Sequence, residues 1–203
     1  IYTLSLHDAL PILVIVVGNS CVIHSSFHTN IPSLRYDIVI DPKMAFGTGH
    51  HETTRLMIEQ LLKADLGDKT LLDMGCGTAV LAILAVMRGA RKALAVDIDD
   101  WCVRNAEENI ALNKVKNIEV VLGGAEKLLS RHFDVILANI NRNILLNDMK
   151  YYAACLKVGN ELYISGFYEE DLPMLTEEAV NNGLHFVEAD SNNRWTVAKY
   201  VKL

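Results

Sequence analysis

From Thr70 onward the apolar positions of the chain fall into two alternating periods. TLLDM (70–74), ALAVD (93–97), IEVVL (118–122) and FDVILAN (133–139) are short, almost unbroken apolar runs, the pattern of strands buried on both faces. The stretches 78–88 and 100–112 between them carry apolar residues at helical spacing. The same reading predicts a helix over 143–157, a strand over 161–165, a helix over 169–182 and closing strands over 186–189 and 195–201. Strand and helix in strict alternation imply a doubly wound parallel sheet. The last two strands are joined only by Asp190-Ser191-Asn192-Asn193, too short for a crossover helix, so they must run antiparallel. Upstream, Leu56, Ile58, Leu61 and Leu62 form an apolar stripe on a helix predicted over 52–63, with Glu52 at its positive end. Residues 13–40 hold short apolar runs broken at 18–20 and 30–32, read as two or three extended segments.

With 203 residues, 51% of them apolar, the chain holds one sizeable core and is too short for two full α/β domains. The expected division is an adapter-like, non-native segment over 1–12 (IYTLSLHDALPI), extended linker-like segments over 13–41, and the main domain over 42–203. A net charge of −6 and the absence of any Lys/Arg run argue against direct nucleic-acid binding. Ile12 to Val17 is the longest early apolar run, far short of the roughly 20 residues that span a bilayer, so no membrane segment is expected. Cys21, Cys76, Cys102 and Cys155 contain no C-x-x-C pair, which points to reduced cytoplasm and away from a disulfide or zinc scaffold.

Candidate chemistry gathers at the strand ends. After TLLDM the chain turns through Gly75-Cys76-Gly77-Thr78, and the next strand ends at Asp97. A glycine turn lets backbone N–H groups approach an anion, and a carboxylate at the neighbouring strand tip can accept both hydroxyls of a ribose. The dinucleotide form of this turn needs a third glycine where this chain has Val80, which disfavours a nicotinamide-dependent dehydrogenase. Opened by Asp73, the turn instead resembles the first motif of S-adenosylmethionine-dependent methyltransferases. Asp73 is costly at the end of a buried strand unless donors or a cation meet it, and a methionine ammonium would do so. The residues alone also allow Asp73 to tie down only its own turn.

Two further segments, DPKMAFGTGHHETTR (41–55) and Ala138-Asn139-Ile140, resemble signatures of the ribosomal protein L-eleven methyltransferase family over roughly residues 27–203. The resemblance implies a Rossmann-like class I methyltransferase, α/β, with a seven-stranded, mostly parallel sheet and an antiparallel C-terminal hairpin. It implies S-adenosyl-L-methionine as cofactor and methyl transfer to amino groups, lysine side chains or an N-terminal amine, of a large-subunit ribosomal protein. Carried over by position, Phe46, Gly47, Thr48 and Gly49 would cap the cofactor and Thr54 would hydrogen-bond it. Gly75 and Gly77 would flank its methionine part beside Asp73, Asp97 would hold the ribose, and Asn139 would touch cofactor and incoming amine as the catalytic residue. Plainer roles stay open for four of these: turn geometry for Gly47 and Gly49, capping of the helix near Asp100 for Asp97, and a strand-end turn for Asn139.

A neutral amide suits amine methylation. A lysine amine with pKa near 10.4 is neutral in only about one molecule in two thousand at pH 7, and a carboxylate neighbour would lower that fraction further. Asn139 can accept the amine's N–H and aim its lone pair, so no general base is named. His50 and His51 are read as structural or solvated. His51-Glu52 lacks the second histidine of a zinc-protease motif, and His24 and His28 lie in an extended segment where a four-residue spacing does not converge on a metal.

The chain departs from the family pattern at Ala79, where a further glycine is common, and at Gly124, where an acidic residue is frequent; Glu126 is the expected substitute acceptor for an adenine amino group. The family also places a small docking domain ahead of the catalytic one, so docking of the ribosomal protein is expected to be impaired here. The alternatives are a methyltransferase for another amine or small molecule, and a truncated cofactor-binding module without turnover.

Overall fold

The unbroken apolar runs become the centre of the molecule because helices cover both of their faces. The computed structural model describes residues 14–41, 52–128 and 131–203. A small sheet of β1 (Ile15–Val17), β2 (Cys21–His24) and β3 (Tyr36–Val39) comes first, followed by α1 (Glu52–Lys63). The main unit then runs β4 (Thr70–Met74), α2 (Val80–Met87), β5 (Lys92–Asp97), α3 (Asp100–Leu112), β6 (Ile118–Leu122), β7 (Phe133–Asn139), α4 (Arg142–Cys155), β8 (Leu156–Tyr168), α5 (Leu172–Asn181), β9 (Leu184–Asn192) and β10 (Trp195–Lys202).

The large sheet has seven strands in the order β6-β5-β4-β7-β8-β10-β9. Strands β6 to β8 in that order are parallel, and β10 lies antiparallel between β8 and β9. This is the mostly parallel sheet with a C-terminal hairpin expected from the sequence. Successive residues of its central strands serve opposite layers: Leu71, Ala93, Ala95, Val135 and Leu137 pack with α1 and α2, while Leu72, Leu94, Val96, Ile136 and Ala138 pack with α4 and α5. Strand order reverses beside β4, which pairs β5 on one side and β7 on the other. The crevice outside the carboxyl ends of β4, β5 and β7 is therefore where such a sheet takes a ligand.

Several boundaries differ from the sequence reading; α5, for one, starts at Leu172 and not at 169. Strand β8 spans thirteen residues instead of five, because Leu156 leaves α4 in an extended conformation and pairs with Phe133 at once, with no intervening loop. The final hairpin turns at Asn193-Arg194, both left-handed (φ 49° and 68°), the geometry of a two-residue hairpin loop. Asp190, Ser191 and Asn192, predicted as turn, pair instead with Val197, Thr196 and Trp195; they are polar because most of this part of the outer strand is exposed. Helix α2 starts at Val80, two residues later than predicted, since Thr78 and Ala79 belong to the glycine turn.

The extended segments before α1 are part of the core. Val17, Cys21, Ile23, Ile38 and Ile40 have no exposed surface and pack with Leu56, Met57 and Leu61 of α1 and with the apolar face of α2. Burying each such aliphatic side chain contributes about 1.5–3 kcal/mol. No helix among the described residues is long and apolar enough to cross a membrane. Ile38→Ala is expected to cost about 2–5 kcal/mol in urea denaturation, with one cooperative transition. A loss below about 1 kcal/mol would show that the small sheet lies outside the folding unit.

Candidate active site at the strand tips

The turn after β4 winds through alternating left-handed residues, with φ of 70° at Gly75, 52° at Gly77 and 62° at Ala79. Gly75 is required by contact as well as by conformation: a Cβ there would fall on Cγ2 of Ile140, the residue after the β7 tip. Ile140 in turn donates its N–H to the Ser165 carbonyl at 3.1 Å, and a Cβ on Gly166 would collide with the Ile140 backbone. The tips of β4, β7 and β8 thus close on one another at two glycines.

Asp97 ends β5 and is 8% exposed. Its Oδ2 accepts the Gly77 N–H at 2.9 Å and its Oδ1 accepts the Asp99 N–H at 3.0 Å. A carboxylate offers about four acceptor sites, so each oxygen retains one for a ligand hydroxyl. Asp97 does not cap the following helix: that role belongs to Asp99, which takes the Trp101 N–H at 2.8 Å.

Three more donors of the turn are also committed. The Gly75 and Cys76 N–H groups both go to the Val96 carbonyl, at 2.8 and 3.0 Å, and the Ala79 N–H goes to the Cys76 carbonyl at 2.8 Å. The N–H groups of Gly75, Cys76, Gly77 and Ala79 are therefore already paired within the protein.

Asp73 is buried, with 1% exposure, and its Oδ2 accepts the Ala82 N–H at 3.1 Å in the first turn of α2. Ala79 has no side-chain donor or acceptor, so Asp73 reaches from the preceding strand to do the work of an N-cap. Burial pushes the Asp73 carboxyl up to about 7; the Ala82 N–H opposes this and the charge of Asp97 adds to it. Burial, then the charges of Asp73 and Asp97, push the Cys76 thiol far above its ordinary value, which makes it inert as a nucleophile.

At the other end of the crevice, Asn139 ends β7 and donates Nδ2–H to the Thr54 hydroxyl on α1 at 3.3 Å. Thr54 is buried, 2% exposed. Strand and helix thereby bring together two residues 85 positions apart, both predicted for the site. Phe46, Gly47, Thr48, Gly49, His50 and His51 lie outside the described residues. Glu126 turns back onto the Gly124 N–H at 3.0 Å, and that bond holds its carboxyl below the usual range. His24 is engaged elsewhere, with Asp37 at 2.7 Å and the Ser25 carbonyl at 2.8 Å.

A family profile described as "Ribosomal protein L11 methyltransferase (PrmA)" matches residues 14–202. The chain is 60% identical over 187 residues to a ribosomal protein L11 methyltransferase of Bacteroides thetaiotaomicron, which covers 92% of this chain and 67% of that protein. This chain belongs to the ribosomal protein L11 methyltransferase family. A second relative of the same description, from Porphyromonas gingivalis, is 49% identical over 91% of this chain and 64% of its own length. The crystal structure of a ribosomal protein L11 methylase from Lactobacillus delbrueckii subsp. bulgaricus superposes with a TM-score of 0.87 at 29% identity, over 94% of this chain and 99% of that one. The chain thus spans about two thirds of the length of these two relatives.

Sequence reading missed the polar residues of α3 that brace the turn. Asn109 has no exposed surface, and its Nδ2–H donates to the Thr78 carbonyl at 3.1 Å. The available signal was the recurrence of asparagine at 105, 109 and 113, one face of a helix.

Two outcomes follow for this member of the family. The native state holds the Asp73 proton to higher pH than the unfolded chain, so Asp73 contributes stability that is fully present below about 3.8 and lost as pH rises through about 7. Asp73→Asn keeps an acceptor for Ala82 and should flatten that slope in urea titrations from pH 5 to pH 8; an unchanged slope would assign it to other groups. Ala79→Gly relieves a left-handed alanine and should raise stability by about 1 kcal/mol; a loss would mean that the buried methyl contributes more than the strain.

Proposed function

We propose that this chain binds S-adenosylmethionine across the tips of β4, β5 and β7 and methylates amino groups of a large-subunit ribosomal protein. The observation that carries this reading is the pairing of Asn139 with Thr54 at one end of a crevice whose other end holds the doubly anchored Asp97. The residues fit such a ligand. Asp97 keeps acceptor capacity for two ribose hydroxyls, and the glycine turn offers close backbone approach.

When bound, S-adenosylmethionine would supply an activated methyl group on positive sulfur, a leaving group that takes the bonding pair with it and needs no acid. Everything else falls to orientation. Thr54 engages the Asn139 Nδ2–H, which turns Asn139 Oδ1 toward the incoming amine as an acceptor. A neutral amine held by one N–H to that oxygen would keep its lone pair free and oriented, and such alignment contributes several kcal/mol without a base. A carboxylate in the place of Asn139 would hold the amine as ammonium, with no lone pair to give. Asp73 supplies negative potential at the methionine end, where an ammonium offsets the cost of its buried charge.

The test pairs calorimetry with labelled-methyl transfer to a purified large-subunit ribosomal protein. Asp97→Ala should weaken S-adenosylhomocysteine binding by about ten- to a hundredfold, the value of hydrogen bonds to a charged group. Asn139→Ala should lower kcat by at least tenfold while S-adenosylhomocysteine affinity changes only a few-fold. Parent-like affinity in the first variant would remove Asp97 from the pocket. Binding without labelled product in any protein or small-molecule pool would make the chain a cofactor-binding module, and label in another pool would change the substrate.

A further inference from the structure

Strand β3 is an edge of the small sheet, since it pairs with β2 on one side only. The N–H groups of Tyr36 and Ile40 point to β2, bonding the Ser20 and His24 carbonyls at 2.8 Å each, so the odd-numbered residues present their backbone groups outward. That outer edge meets three side-chain amides, two on α3 and one on Asn113, the residue that caps its C-terminus. Asn113 accepts the Val39 N–H at 2.8 Å and donates to the Val39 carbonyl at 2.6 Å. Asn109 accepts the Asp41 N–H at 3.0 Å, and Asn105 donates to the Asp41 carbonyl at 2.8 Å. Four residues of helix rise about 6 Å and two residues of strand about 6.6 Å, so Asn113 and Asn109 match the peptide groups of residues 39 and 41, while Asn105 takes the remaining carbonyl of residue 41. The ladder replaces a missing fourth strand.

Asn109 alone among the three also reaches the catalytic sheet. Its Oδ1 takes the Asp41 N–H while its Nδ2 donates to the Thr78 carbonyl in the glycine turn at 3.1 Å, with Asn105 Oδ1 at 3.5 Å as a further acceptor. One amide therefore spans the small sheet and the turn that bears Gly75, Gly77 and Ala79. The side chain is wholly buried, so no water can replace a lost partner without rearrangement.

We infer that Asn109 is a positioning residue for the nucleoside site, fixing the height of the glycine turn against the small sheet through Thr78 and Asp41. The inference rests on the cofactor reading above. Asn105 and Asn113 hold the same strand edge without touching the turn, which makes Asn113 a matched control.

The experiment measures S-adenosylhomocysteine affinity and thermal midpoint for the parent chain, Asn109→Asp, Asn109→Ala and Asn113→Ala. Asn109→Asp keeps the acceptor for Asp41 and turns an oxygen toward the Thr78 carbonyl; should it not fold, Asn109→Ala against Asn113→Ala decides. Both alanine variants should lower the midpoint, while only the Asn109 variants lose about tenfold in affinity and Asn113→Ala stays within about twofold of the parent. Equal losses in the Asn109 and Asn113 variants, or parent-like affinity in both, would overturn the positioning role while leaving the cofactor reading in place. A parent chain that does not bind S-adenosylhomocysteine would remove that reading, and this one with it.

Discussion

The Asp97 carboxylate holds two backbone N–H groups, one from the glycine turn after β4 and one from the entry to α3, and so pins two strand tips to a single charge. A buried acid is costly unless donors meet it. Here the donors come from the two loops that form the crevice, so satisfying the charge and shaping the site are the same act. Each carboxylate oxygen keeps acceptor capacity on its outer side, where a sugar can be read without rebuilding the turn. A pocket of this kind is preorganised: its polar groups are already oriented before any ligand arrives.

Asp73 poses the opposite problem one strand away. Burial, with the charge of Asp97 adding to it, holds its carboxyl up to about 7 against the lowering effect of the Ala82 N–H. A cationic ligand end would relieve this, while a phosphate would aggravate it. The N–H groups of Gly75, Cys76, Gly77 and Ala79 are already taken by protein acceptors, which leaves the turn to meet a ligand chiefly through close backbone approach. A positively charged nucleoside matches both features, and the family to which the chain belongs is consistent with that match.

Much of this was legible in the residues because the central strands are buried on both faces and so appear as apolar runs with sharp ends. Asp73, Gly75, Asp97 and Asn139 stand at those ends, and their place in the crevice follows once the sheet is parallel. The outer strands were harder: Asp190, Ser191 and Asn192 resemble turn residues because an exposed strand needs no apolar side chains there. The asparagine ladder on α3 was illegible for a different reason. Periodicity places Asn105, Asn109 and Asn113 on one helix face, but a solvated face has the same spacing, and their partner is the backbone of residues 39 and 41, which carries no side-chain signal.

The central claim is that one small molecule touches both ends of the crevice. A crystal structure of the chain soaked with S-adenosylhomocysteine tests it most directly. The ribose hydroxyls should lie within hydrogen-bond distance of Asp97, with the sulfur beside Asn139 and Thr54. A nucleoside seated elsewhere, for example in the groove lined by Arg91, Lys92, Asn117 and Glu119 at the opposite ends of the strands, would contradict it.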